Sequence, residues 1–307
     1  MTPHLMLKPF FLVVFVIVMT GAFILPFVQP PVPIIKADSS STLNSFTLEF
    51  DKHFKEIDVP KFSEIKDVTT KKRTYFEFIG KLAAENNQLI SRKRSFIQHL
   101  RDEYIDYIQS NPDLSLQDFN TQFLTFSQQQ KLQFLMTEYR VNNKKIADLF
   151  SELLLRVNTI PVELIQVQTA NESGWGTSRF AVQGYNFFGL WCYETGCGFV
   201  PKKRTKGMTH EVAKFSTPAQ GMYQYVRNLN RNRAYRQLRI KRLSLFEASP
   251  SSSFQHAMEL TTTLGSYSER GQDYIDELQS MLRVNRSLLG LVRVTTILHV
   301  QGSETNN

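Results

Sequence analysis

Apolar residues recur three and four positions apart through most of this chain. Between Lys71 and Gln109 they fall at Phe78, Leu82, Leu89, Phe96, Leu100, Tyr104 and Ile108. That is the spacing of one helix face, and Asn111-Pro112-Asp113 ends the run, so one long helix or two consecutive ones are predicted. Similar patterns run from Gln128 to Tyr139 and from Lys144 to Val157. Ile160-Pro161 opens a shorter helix, because a proline's missing N–H suits a first turn. Its Val162, Leu164, Ile165, Val167 and Ala170 cover more than one face, which places it at the centre of the domain. Glu172 falls on the last turn of that helix, on the side of Ile165 and Gln168. The period changes from Phe187 to Phe215. There FFGLWCYETGCGFV, a basic turn from Lys202 to Gly207 and then EVAKF predict a β-hairpin or small sheet. Helices are expected again at 218–238, 254–264 and 271–284. The class is α+β, mostly helical, with a small β-lobe.

The longest apolar run stands apart from these. Phe10 to Val28 carries no charge, follows Lys8 and precedes a Pro-rich stretch from Pro30 to Pro33. At about 1.5 Å per helical residue it matches a bilayer core of about 30 Å. An uncleaved N-terminal anchor is the first reading. A cleaved signal is the second, with Ile35-Lys36-Ala37 as a poor cleavage site. Either reading exports the remainder, to the periplasm. The polar stretch from Asp38 to Asn44 and the mixed segment up to Val68 read as a linker, partly ordered at most.

Export bears on the cysteines. The chain has two, Cys192 and Cys197, and the Tyr-Glu-Thr-Gly between them is turn-like, so a disulfide is expected in an oxidising compartment. Zinc is the alternative, with His210 as the one further ligand nearby. No metal or other cofactor is expected. The net charge is +8, which favours an anionic partner. Arg227 to Arg242, RNLNRNRAYRQLRIKR, holds much of it, and reads equally as a surface for an acidic polymer or lipid and as a solvated helix face.

Candidate chemistry centres on NESGWGTSRF, residues 171–180. A carboxylate at a helix end walled by Trp175, Phe187, Phe188 and Trp191 would be partly desolvated. Desolvation raises a carboxyl pKa, so Glu172 could donate a proton near neutral pH, for example to a glycosidic oxygen. Rings pack on the C–H faces of sugars, and Gln183, Tyr185 and Asn186 could bond their hydroxyls. The glycines permit a sharp exit from the helix.

ANESGWGTSRFA, GYNFFGLWCYETGCGFVPKKR, HEVAKF and LGSYSERGQDY, in that order, resemble the bacterial Bax family. With it they resemble the peptidoglycan-cleaving N-acetylglucosaminidases of glycoside hydrolase family 73 and the flagellar peptidoglycan hydrolase. The resemblance is densest from Ile160 to Asn285. It implies a lysozyme-like fold, Glu172 as general acid, Tyr267 facing the substrate, and an aromatic cleft that includes Trp175 and Phe188. A second carboxylate on the β-lobe would be Glu211 or Glu194, activating water on the far face of the sugar.

The expected organisation is an anchor or signal at 1–37, a linker at 38–70, a helical extension at 71–140, the glucosaminidase domain at 141–290 and a tail at 291–307. The expected activity is endo-β-N-acetylglucosaminidase cleavage of peptidoglycan strands. A lytic transglycosylase and a glycan-binding scaffold without turnover are the alternatives. No phosphate loop or nucleotide fingerprint is present, and no nucleic-acid partner is expected.

Overall fold

A computed structural model describes residues 58–103, 115–201, 207–248 and 252–290, together with 105, 109 and 204. The apolar N-terminal segment, the linker up to residue 57, Tyr104, Ile108, most of the basic turn and the tail from 291 lie outside the described residues. The described elements are α1 (Val68–Glu103), α2 (Leu116–Phe123), α3 (Phe126–Tyr139), α4 (Ile146–Arg156), α5 (Val162–Ser173) and α6 (Arg179–Gly184). Then come β1 (Trp191–Cys192), β2 (Gly198–Phe199), β3 (Glu211–Ala213), α7 (Pro218–Arg231), α8 (Arg236–Ala248), α9 (Ser253–Thr261) and α10 (Gln272–Val284). The class is α+β and mostly helical, as the periodicity predicts. Among the described residues no helix is long and apolar enough to cross a membrane.

The first helical pattern is one continuous helix, α1, whose Phe76, Ile79, Ala83, Ile90, Ile97 and Leu100 are buried. It packs on α5, α7 and α4, so the extension and the later helices share one core. Phe62, in the stretch expected to be partly ordered at most, is buried against the rings of Tyr75 and Phe78. Lys93 of α1 is fully buried and meets the Glu138 carboxylate of α3 at 2.9 Å. Tyr223 of α7 donates to the same carboxylate, which satisfies a charge pair that would be costly to bury alone.

Helix α5 is central. Leu164, Ile165 and Val167 are wholly buried, as are the polar Gln166, Gln168 and Thr169, and α1, α9 and α10 surround it. Pro161 stands at the N-cap, one residue before the first helical position.

The small sheet is antiparallel in the order β1-β3-β2. The first two strands are therefore not a hairpin pair, because β3 lies between them. A disulfide joins Cys192 of β1 to Cys197 at the edge of β2.

The basic run divides in two. Arg227, Arg231, Arg233, Arg236 and Lys241 are at least partly accessible, whereas Arg239 and Arg242 are each 1% exposed. Arg242 donates to the carbonyls of Leu155, Asn158 and Thr159 and to Asn230 Oδ1 at 2.7–3.1 Å. Arg239 donates to the carbonyls of Leu229 and Asn232. The expectation of a binding surface or solvated face is corrected for these two, which tie helix ends together from inside.

Candidate active site

The NESGWG motif is the exit of α5. Gly174, Trp175 and Gly176 all have positive φ, at 56°, 59° and 75°, so the chain reverses through three left-handed residues in succession. Glycine takes that conformation without steric cost. Gly176 meets a second constraint, since a Cβ there would lie 2.4 Å from the Phe62 ring. Ser173 closes the turn by accepting from Gly176 N at 2.8 Å while donating to Thr169 O.

This geometry leaves Glu172 half-buried on the last turn of α5. The backbone of Gly189 passes directly over it, with φ at +65°, and a Cβ on Gly189 would come within 3.0 Å of Glu172 Oε2. On the other side the Tyr274 hydroxyl of α10 hydrogen-bonds the carboxyl. Burial pushes the Glu172 pKa up and wins over the Tyr274 hydrogen bond, which pulls it down; Glu277 adds to the rise and Arg270 opposes it. The net direction favours a protonated acid.

Behind Glu172 runs a chain of buried donors. Tyr225 donates to Gln168 Oε1, Gln168 Nε2 donates to the Tyr274 hydroxyl at 3.1 Å, and Tyr274 is left with its proton for Glu172. All three steps point toward the carboxyl. Tyr225, Tyr235, Tyr267 and Tyr274 each feel the charge of Glu172, and burial raises all four phenol pKa values. A ring of neutral tyrosines therefore surrounds the acid.

The other residues singled out from the sequence are placed differently. The Trp175 ring packs on α1, against Phe76 at 5.1 Å and Tyr75 at 5.8 Å. Phe187 and Phe188 are buried, and Phe188 stacks on Tyr225 at 4.8 Å. Trp191 is 50% exposed and stacks on His210 at 4.0 Å. Against the carboxyl itself stand the Gly189 backbone and the Tyr274 hydroxyl.

Asn186 is corrected from a sugar contact to a loop tie. It is 2% exposed, its amide donates to Leu190 O and Ala213 O, and its carbonyl accepts from Phe188 N and Leu190 N. Gln183 is exposed on α6 and Tyr185 is half-buried just after it. Tyr267 lies parallel to Tyr274 at 5.8 Å, and its hydroxyl donates to Phe188 O at 2.7 Å. That bond fixes the segment just before Gly189.

Of the two proposed second acids, Glu211 of β3 is held by backbone amides. The Glu211 oxygens accept from Gly196 N at 3.0 Å and Gly198 N at 2.8 Å, and these bonds hold its pKa below the usual range. In this position Glu211 braces the disulfide turn. Glu194 is exposed at the tip of that turn. Cys192, Cys197 and Glu211 bring ligand-type atoms within 4.8 Å of one another, but the sulfurs are bonded to each other and the carboxylate is held by amides.

Gln168, Tyr225 and Tyr274 escaped the sequence reading. Only the position of Gln168 on the Glu172 side of the helix hinted at the first.

With this geometry in hand, comparison with known proteins places it. Residues 147–287 match the model of the Glucosaminidase family, described as mannosyl-glycoprotein endo-beta-N-acetylglucosaminidase. This segment is similar to that family's domain. It runs from α4 to just past α10 and contains Glu172, its donor chain and the β-lobe. Central α5 with its small antiparallel sheet is consistent with a lysozyme-like glucosaminidase domain. Protein bax of Escherichia coli (strain K12) is 32% identical over 163 residues, 52% of this chain and 56% of that protein. The chain thus spans about half the length of the relative it matches. No solved structure matches the chain. Helix α1 lies outside the family match although it packs on α5.

Proposed function

We propose that this protein is an endo-β-N-acetylglucosaminidase acting on the glycan strands of peptidoglycan. The observation that carries the reading is Glu172: a half-buried carboxyl in a glucosaminidase-like domain, with its pKa raised by burial and its orientation held by Tyr274 and Gly189. In this mechanism Glu172 gives its proton to the bridging oxygen as the glycosidic bond breaks. With Glu211 engaged by Gly196 and Gly198 and Glu194 at an exposed turn tip, the second group in this reading is the substrate's own acetamido oxygen. It attacks C1 and forms an oxazoline. Water then adds at C1, returning a proton to Glu172 and leaving a reducing N-acetylglucosamine.

Digestion of purified cell wall followed by mass spectrometry of the fragments tests this. Reducing N-acetylglucosamine ends support it. Anhydro-muramic acid ends would instead favour the lytic transglycosylase, which also needs a single enzymic acid, and binding without fragments would favour a scaffold.

The same geometry yields a pH prediction. A general acid works below its pKa, so the rate falls as pH rises through it. The Tyr274 hydrogen bond lowers the Glu172 pKa, and its loss in Tyr274→Phe raises it. The descending limb of the kcat/KM profile should therefore move to higher pH. An unmoved limb would mean that Glu172 is not the titrating acid.

The site of action proposed is the periplasmic face of the inner membrane, with the Phe10 to Val28 segment as anchor. Reporter fusions after Ser40 should be active outside the cytosol and silent within it.

A further inference from the structure

A recess opens at the α5 exit, where Ala170, Asn171 and Gly174 line it. It has a volume of about 440 Å³ and lies between α1, the end of α5 and α10. Its lining combines charged groups with an indole. Lys72 supplies a cation and Glu277 an anion, Asn171 supplies an amide, the Trp175 indole forms a wall, and Val284 gives an exposed apolar edge, while buried Asn285 is used by Met281 O and Lys72. Lys72 Nζ is held 3.1 Å from Asn285 Oδ1 and 5.1 Å from the Trp175 ring centre, and among the described residues it forms no ion pair. Glu277 meets Arg270 at 2.6 Å at a half-exposed position.

Neutral pyranose rings call for hydroxyl partners and a ring face. A lysine and a glutamate lining one recess call for a ligand bearing both carboxylate and ammonium groups. The recess also has a defined relation to the acid. Tyr274 touches Glu172, Glu277 follows one turn later on α10, and Val284 lies about 15 Å along the helix from Tyr274 at roughly 1.5 Å per residue. A substituent hanging from a sugar next to the cleaved bond has that reach. Lys72, moreover, comes from α1, outside the glucosaminidase match at 147–287.

We propose that this recess binds the peptide stems of peptidoglycan, with Lys72 on a stem carboxylate and Glu277 near the free ammonium of its diamino acid. The helical extension thereby makes the enzyme a reader of peptide-bearing glycan. This rests on the reading of the protein as a wall glycosidase, and the tests separate the two.

The full chain is assayed on peptide-bearing wall and on the same strands stripped of peptide by an amidase. Peptide-bearing strands should be cut about tenfold faster in kcat/KM, the factor that one charged hydrogen bond supplies. Lys72→Met, which keeps the stem over Trp175, should lose most of that preference. So should Val284→Glu, a change at an exposed position that sets a repelling carboxylate at the edge. Equal cutting of both substrates by the wild type, or an intact preference in both variants, overturns the recess and leaves glycan cleavage standing.

If neither substrate is cut, the glycosidase reading fails and direct binding decides the recess. The chain has two tryptophans, so Trp191→Phe leaves Trp175 as the sole indole reporter. Titration with the tripeptide L-alanyl-γ-D-glutamyl-meso-diaminopimelate should then give a saturable emission change that Lys72→Met abolishes. No saturable change, or one that survives Lys72→Met with the same Kd, overturns the proposal.

Discussion

Glu172→Gln is expected to lower glycan cleavage by about two orders of magnitude or more, the range of general acid catalysis, while wall binding persists. The amide matches the carboxyl in size and keeps an oxygen to accept from Tyr274, so the α5 exit and the loop over Gly189 should hold their shape. Only the transferable proton is removed. Glu172 sits where its proton can be kept, since burial raises its pKa against the opposing pull of Tyr274 and Arg270. Measurement needs turnover on purified wall, co-sedimentation with that wall, and a melting curve to show that the variant folds. A folded Glu172→Gln that cleaves at near the wild-type rate would place the acid elsewhere and remove the basis for the proposed mechanism.

Arg242→Met should cost about 2–4 kcal/mol of folding stability, since hydrogen bonds to a charged group are worth about 1.5–3 kcal/mol and an unsatisfied buried acceptor costs about 1–3 kcal/mol. Out of a total of about 5–15 kcal/mol that is a large share. Arg242 is 1% exposed, and burial beside Arg239 and Arg94 pushes its pKa down to about 9. Its compensation comes from acceptors at the end of α4: Leu155 O at 3.0 Å, then Asn158 O and Thr159 O at 3.1 Å each. A helix C-terminus has carbonyls without intrahelical donors and carries partial negative charge, so a guanidinium fits there. Methionine would fill the space but leave the Leu155 and Thr159 carbonyls without their guanidinium donor, while Asn158 O keeps Asn230 Nδ2. Lysine would not rescue fully, because one ammonium cannot reproduce the fork of the guanidinium. Urea denaturation of both variants checks this; a loss below about 1 kcal/mol for methionine, the worth of an ordinary hydrogen bond, would show that water reaches the α4 end.

Much of the helical architecture was legible in the spacing of apolar residues. The long first helix, the buried central one and the final one follow from it, because a helix face is a local property that repeats every three to four residues. Two short helices were not legible. Helix α2 (Leu116–Phe123) and helix α6 (Arg179–Gly184) are too brief for a period to emerge, and their visible signals are the caps Ser115 and Ser178. The pairing of Cys192 with Cys197 was readable because they lie five positions apart across a turn-like segment.

The motif around Glu172 shows where local reading stops. Its glycines announce a left-handed exit, and the sequence by itself determined that an acid would stand at the end of a buried helix. It did not show that Gly176 must also make room for Phe62, that Tyr274 would reach Gln168 across 106 positions, or that Arg242 would bond a carbonyl 84 positions away. Nor did it show that Asn186, suited to sugar hydroxyls, and Glu211, suited to activating water, would bond backbone carbonyls and amides of the β-lobe. These outcomes belong to tertiary structure for one physical reason. A buried polar group must find a partner, and which partner it meets depends on how distant segments close around it, whereas periodicity and turn chemistry act only between neighbours along the chain.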